Sequence, residues 1–259
     1  MARILITGSS KGLGRATAIE LASRGHEVIA TARNVDTLQD LDVAQRLALD
    51  VTSDDSVARA VEAAGTIDVL LNNAAEIVVA PLESVPFSEV RRLYEINVFG
   101  SLRMIQAVAP QMRERQSGTI VNLSSIVGRV SFPLTGIYSS TKWAIEALSE
   151  SLRIELGHFG VRVIVIEPGQ IGTGALDAPR AYFQENNPYA ALAARPRTPR
   201  EQMTPPDAIA RAIADAIESS GDQFRFRAGK DAEALLSARA KLDDHAFEKS
   251  FREMLKLDW

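Results

Sequence analysis

Short, continuously apolar runs alternate with stretches of helical spacing along almost the whole of this 259-residue chain. Runs such as "VIVI" and "IVNL" have no polar side to turn toward water, so strands of this kind need cover on both faces. Periodicity predicts strands at Arg3–Thr7, Val28–Thr31, Arg46–Leu49, Asp68–Asn72, Thr119–Leu123, Arg162–Ile166 and Gln223–Arg227. Helices are expected near 13–24, 36–41, 54–64, 87–114, 138–157 and 206–219, and the last thirty residues return to helical spacing. Strict alternation with short joins predicts an α/β fold: a doubly wound parallel sheet of about seven strands, helices on both faces, in one domain spanning 1–259. The rhythm breaks once, between Gly172 and Pro206, where six of the eleven prolines lie. An irregular segment of that length inside a compact domain reads as a lid, at about 172–206.

Composition narrows the function. Hydrophobic residues make up 46% of the chain, enough for a sizeable core, and the net charge of -4 gives no electrostatic case for nucleic acid or an anionic membrane. Cysteine is absent, which removes disulfides and thiolate metal sites and suits a reducing compartment. "ARILITGSS" is too short an apolar start for a signal peptide, and no window has the length of a membrane span, so a soluble cytoplasmic protein is expected. His26, His158 and His245 are far apart and read as surface or helix-end residues, so no metal is expected.

In an open parallel sheet, ligands bind beyond the carboxyl ends of the strands. After the first strand comes "TGSSKGLG", with Gly8, Gly12 and Gly14 allowing a tight turn and close approach to a pyrophosphate. A helix opening near Leu13 aims its free N–H groups at that anion. The second strand ends in Ala32 and Arg33, where a fold that prefers NAD carries an acid for the ribose 2′-hydroxyl. Arg33, with Lys11 of the glycine loop, suits a 2′-phosphate, so NADP(H) is the expected cofactor. The third strand end offers Asp50 beside the adenine, and the fourth offers Asn73 with the small Ala74 and Ala75. The fifth brings out Ser124 and Ser125, and the sixth a Pro168–Gly169 turn for the nicotinamide carboxamide. Farther on, Tyr138 and Lys142 are spaced one helical turn apart, so a lysine charge there would favour phenolate and pull the tyrosine below its free pKa of about 10.

Together these segments resemble the short-chain dehydrogenase/reductase family in its single-domain form, a Rossmann fold. The matching motifs are T-G-x-x-x-G-x-G at Thr7–Gly14, N-N-A at Asn72–Ala74, N-x-x-G at Asn97–Gly100, Ser125, Y-x-x-x-K at Tyr138–Lys142, and P-G-x-x-x-T at Pro168–Thr173. The resemblance implies a catalytic set of Asn97, Ser125, Tyr138 and Lys142. Tyr138 would be the general acid toward a carbonyl oxygen, or the base in the oxidative direction. Lys142 would lower the tyrosine pKa and hold the nicotinamide ribose, Ser125 would orient the substrate oxygen, and Asn97 would steady a water in a proton relay. Cofactor contacts would come from Gly8, Ser10, Lys11, Gly12, Leu13, Gly14, Arg33, Asp50, Val51, Asn73, Tyr138, Lys142, Pro168, Gly169, Ile171 and Thr173. Two departures from the family pattern stand out: Ala75, where glycine is commoner, and Gly172, which is expected to loosen the start of the lid.

The reading is thus an NADPH-dependent reductase of a ketone or aldehyde. Its alternatives are an NAD(P)-dependent alcohol dehydrogenase on the same fold, or a non-catalytic NADP(H)-sensing regulator. Val130, Phe132, Pro133, Leu134 and Ile137, with Leu176, Tyr182, Phe183 and Tyr189 of the lid, are candidate walls for a hydrophobic carbonyl or alcohol substrate. Arg180, Arg195, Arg197 and Arg200 read as a solvated lid surface, the alternative being contacts to an anionic substrate. By resemblance a homodimer or homotetramer would pair copies of the 87–114 and 138–157 helices, with Trp143, Ala147 and Leu148 available for burial.

Overall fold

The computed structural model describes residues 1–174, 179–194 and 198–256. In chain order the strands are β1 Arg3–Ile6, β2 Glu27–Ala32, β3 Gln45–Ala48, β4 Val69–Asn72, β5 Val78–Val79, β6 Gly118–Leu123, β7 Val161–Pro168, β8 Arg180–Ala181 and β9 Arg225–Ala228. The helices are α1 Gly12–Ser23, α2 Asp54–Ala64, α3 Phe87–Tyr94, α4 Gly100–Glu114, α5 Gly136–Gly157, α6 Ala190–Ala193, α7 Pro206–Glu218, α8 Lys230–Lys241 and α9 Asp244–Met254. Seven strands form one sheet in the order β3-β2-β1-β4-β6-β7-β9, every pair parallel. This is the expected α/β, Rossmann-like architecture.

The alternation of side chains divides the core cleanly. Ile4, Ile6, Leu71, Val121, Ile164 and Ile166 face one way, onto α1 and α7, whereas Leu5, Leu70, Ile120 and Val163 face α2 and α4. Both faces are dry, which is why the strands read as unbroken apolar runs. Strand order reverses between β1 and β4, and there the glycine loop meets the exit of β4. Asn73 Nδ2 donates to the carbonyls of Thr7 (2.8 Å) and Gly8 (3.0 Å), and Thr7 Oγ1 accepts from the amides of Asn73 and Ala74.

Three expectations change. The 36–41 helix is only a 3-10 turn at Val35–Leu38, because the Asn34 side chain accepts from the Asp36 amide and closes the backbone locally. The 87–114 helix is two helices joined by a π-helical turn at Glu95–Phe99. The wider turn drives Asn97 and Val98 inward, and Ser101 Oγ donates to the Asn97 carbonyl at 3.2 Å. Gly172 does not loosen the lid: its amide donates to the Thr204 carbonyl at 3.0 Å, and its own carbonyl accepts from Arg200 Nε at 2.8 Å. The two ends of the lid are thus tied together, and β8 pairs in parallel with β5 on top.

Candidate active site

The glycine loop after β1 could hold a pyrophosphate. Gly8 and Gly12 hold φ of 74° and 60°, and α1 starts at Lys11 with no side-chain cap and no acid in its first turn. Thr173, some 160 residues away, packs on Gly12: a Cβ there would sit 3.6 Å from its methyl carbon. Ser10 lies in the loop and Leu13 is buried beneath it. Val51 fills the space that a side chain at Gly100 would need, which is why that position carries glycine. Hydrogen bonds from Thr52, its backbone amide above all, hold the Asp50 carboxyl below its usual range, with Arg33 and Arg103 assisting. Arg33 is 73% exposed at the exit of β2, its guanidinium 3.9 Å from Glu76.

The candidate catalytic groups converge at the ends of β6 and β7. The Ser125 hydroxyl faces that of Tyr138, which it favours in the ionised form against burial, and reaches the Pro168 carbonyl at 3.5 Å. Ser124 is excluded from this pair, its hydroxyl buried toward Gly128 without a partner. Lys142 lies beneath, 3% exposed, its ammonium donating to the Leu123 carbonyl at 2.7 Å and 5.9 Å from the Tyr138 ring. Asn97 Oδ1 accepts from the Glu76 amide at 2.8 Å, and Nδ2 donates to the Glu76 carbonyl at 2.9 Å and to Thr141 Oγ1 at 3.1 Å. The amide therefore ties the β4 exit to the helix that carries Tyr138 and Lys142.

Spacing predicts a lowered tyrosine pKa, and the structure reverses it. Burial pushes the Tyr138 hydroxyl up to about 12, against only the Ser125 hydrogen bond. The lysine ammonium is turned to the strand carbonyl, and burial pushes it down to about 8.

The pocket walls also differ. Val130 and Phe132 pack on Ala232, Leu236, Phe247 and Phe251 of the C-terminal helices, so they hold the Ser125 loop in place. Ile137 and Tyr182 remain beside Tyr138, against Val78, Ala80 and Leu93. Phe183 is exposed, and Tyr189 lies against Glu83. Leu134 gives its carbonyl to the Ala80 amide, while Leu176, Arg195 and Arg197 fall outside the described residues. Arg180 pairs with Glu89 at 3.6 Å and Arg200 with the Gly172 carbonyl, so neither is a free lid charge. The Gly169 turn is fixed by α8: Asp231 accepts from the Gln170 amide at 2.7 Å, and Ile171 bridges Thr204. Among the described residues no cluster could hold a metal ion, and no helix is long and apolar enough to cross a membrane.

The short chain dehydrogenase family model matches residues 2–181, which span the glycine loop and Asn97, Ser125, Tyr138 and Lys142. The chain belongs to the short-chain dehydrogenase family. It is 37% identical over 216 residues to an uncharacterised oxidoreductase of Schizosaccharomyces pombe, covering 81% of this chain and 92% of the relative. A 3-ketodihydrosphingosine reductase of Bacteroides thetaiotaomicron is 39% identical over 178 residues, 67% of this chain and 65% of that one. A short-chain dehydrogenase structure from Streptomyces avermitilis superposes with a TM-score of 0.81 at 38% identity, covering 97% of each chain. Two further structures, from Burkholderia cenocepacia with NADP and Burkholderia phymatum with NAD, give TM-scores of 0.79 and 0.78 at 27% and 25% identity. They cover 98% and 92% of this chain, and 97% and 91% of their own. This short-chain dehydrogenase is thus an oxidoreductase that acts on CH–OH groups, with a cofactor of the NAD(P) type.

One group of site residues escapes a motif reading. Glu146 and Glu167 are buried beside the site and share Arg225. The signal was available: Glu146 follows Lys142 by one helical turn, and Glu167 is a carboxylate at the end of an otherwise apolar run. Burial, reinforced by the Glu146 charge, pushes the Glu167 carboxyl from 4.5 up to about 7. A carboxyl whose folded pKa is raised adds stability that is full below its unfolded value and lost as pH rises through 7. Glu167→Gln is therefore expected to gain on the order of 3 kcal/mol over the wild type at pH 8 and nothing at pH 4.5, read as melting temperature. An equal shift at both pH values would refute this.

Proposed function

We propose that this short-chain dehydrogenase is an NADPH-dependent reductase of a hydrophobic ketone or aldehyde. The observation that carries the reading is the Ser125–Tyr138 hydroxyl pair set over buried Lys142 beside the glycine cradle. NADPH supplies the hydride. Tyr138 and Ser125 together offer two O–H donors to a carbonyl oxygen, and Tyr138 gives up its proton as charge builds there. A hydroxyl held up at about 12 stays protonated at neutral pH, the form that reduction requires. Lys142 supplies a positive charge near the phenolate that remains, and Asn97 fixes the helix that presents both. Ile137 and Tyr182 give the substrate an apolar neighbour, in keeping with a relative named a 3-ketodihydrosphingosine reductase. The exposed Trp143 and Ala147 on α5 support pairing of copies through that helix.

For the cofactor, the absence of an acid at the end of β2 and the exposed guanidinium of Arg33 favour a 2′-phosphate, with Lys11 nearby in sequence on the glycine loop. Fluorescence titration is expected to give NADPH a Kd at least about tenfold below that of NADH, the value of one charge-assisted hydrogen bond. Arg33→Ala should erase that difference and leave NADH binding unchanged. Equal affinities in the wild type would remove the NADP(H) preference and leave the catalytic assignment standing.

A further inference from the structure

Tyr182 is brought to Tyr138 by a strand that lies outside the main sheet. It packs with Ile137 and Tyr138 around Val78, Ala80 and Leu93. Its amide donates to the Val79 carbonyl at 3.2 Å, extending the short ladder in which Val78 and Val79 pair with Arg180 and Ala181. Two residues on each side are too few to hold a strand pair against solvent, so β8 needs a second restraint.

That restraint is ionic. Arg180 Nη1 stands 3.6 Å from Glu89 Oε1 on α3. The other oxygen of Glu89 accepts from Arg92 Nε at 2.9 Å, with Arg92 Nη2 2.8 Å away. Arg92 Nη1 donates in turn to Glu76 Oε2, at the exit of β4. Glu76 is itself held, because the Asn97 side chain takes both its amide (2.8 Å) and its carbonyl (2.9 Å). Beside Arg92, Leu93 is fully buried in the cluster that receives Tyr182, so the guanidinium projects from fixed backbone. Its side chain is 25% exposed and that of Glu89 12%, a setting in which ion pairs are screened less than on open surface. All three nitrogens of Arg92 are engaged, and the planar fork lets one side chain serve two carboxylates. The hydrogen bond from Arg92 also holds the Glu89 carboxyl below its usual range, so the clasp stays charged at neutral pH.

We propose that Arg92 is a positioning residue: by clasping Glu76 and Glu89 together it fixes where the lid wall at Tyr182 stands against Tyr138, and so favours ketones with apolar bulk. It acts through Glu89 and Arg180, not on the reacting atoms. Without the clasp β8 lifts, and a long substrate loses its wall. A short one, lying against Ser125 and Tyr138 alone, does not. The inference rests on the proposed reduction, but one arm of its test needs no turnover.

The experiment compares the wild type with Arg92→Leu, Arg92→Lys and Arg180→Ala. Hydrogen exchange at the Tyr182 amide, read by NMR, should speed up by at least about tenfold in Arg92→Leu and Arg180→Ala, as the β5–β8 ladder opens locally. At saturating NADPH, kcat/KM for a long-chain methyl ketone should fall by about ten- to hundredfold, the scale of a small misplacement of substrate. For butanone the fall should be less than about threefold. Arg92→Lys should recover part of the loss, because an ammonium pairs with one carboxylate but does not span both. Arg180→Ala leaves Arg92 with both its carboxylates, so it tests the clasp even if Arg92→Leu fails to fold. Unchanged exchange at Tyr182 in Arg180→Ala would overturn the proposal. Equal losses on the two ketones would do so too, being the mark of a general loss of fold. If the wild type reduced neither ketone with NADPH, the functional reading would fall, and the exchange result alone would decide for or against the clasp.

Discussion

Replacing Tyr138 by phenylalanine is expected to lower kcat by about a thousandfold or more, the range that loss of a positioned general acid produces. Phenylalanine keeps the ring, so the packing against Val78, Ala80, Leu93, Ile137 and Tyr182 survives and the fold with it. What disappears is one oxygen, which faces the Ser125 hydroxyl and is the proposed proton source beside Lys142. Because the proposed cofactor cradle consists of the glycine loop and the Thr173 turn, NADPH affinity should fall by less than about tenfold. Ser125→Ala should cost less than the tyrosine change, since it removes one of two donors to the oxygen and not the proton source. Single-turnover oxidation of NADPH with a reactive hydrophobic ketone, beside a binding titration, separates the two effects. Full turnover in Tyr138→Phe would sink the mechanism, and lost NADPH binding would show that the tyrosine serves the cofactor first.

How far the sequence carries depends on whether a property is local. Sheet order and the two-faced core follow from unbroken runs such as Val69–Asn72, all of which are buried. The candidate site motifs follow from strand ends, and the resemblance to the family singles out Ser125 over Ser124. The π turn around Asn97 could not be read, since one extra residue in a helical turn leaves the apolar periodicity of 87–114 nearly intact. The roles of Val130 and Phe132 could not be read either, because an apolar side chain does not announce its partner, and α8 and α9 come a hundred residues later. The sign of the Tyr138 shift was missed for a related reason. Helical spacing reveals that a lysine is near, while burial depends on everything packed above, and here burial wins. The restraint at Gly172 is not legible in the sequence either, because it comes from Thr204 and Arg200, across the lid.

The cradle gives the second large effect. Gly14→Ala is expected to weaken NADPH binding by more than about tenfold and to cost about 3 kcal/mol of stability, the upper part of the range for overpacking a tight core. The added methyl would fall well inside 3.0 Å of both the Gly8 carbonyl and Asn73 Nδ2, and the carbonyl is backbone that cannot swing aside. Relief requires α1 to back away from β1 or Asn73 to release Thr7 and Gly8, and either move opens the turn that aims the helix N-terminus at the pyrophosphate. Gly25→Ala is the control. Its φ of 83° carries the left-handed penalty of about 1–2 kcal/mol, yet nothing lies within 4 Å of the new methyl and no strand exit is near. It should lose stability on that smaller scale and bind NADPH as the wild type does. If Gly14→Ala lost stability but kept its affinity, the close approach at Gly14 would serve helix packing alone, and the cofactor site would rest on Gly8, Gly12 and Thr173.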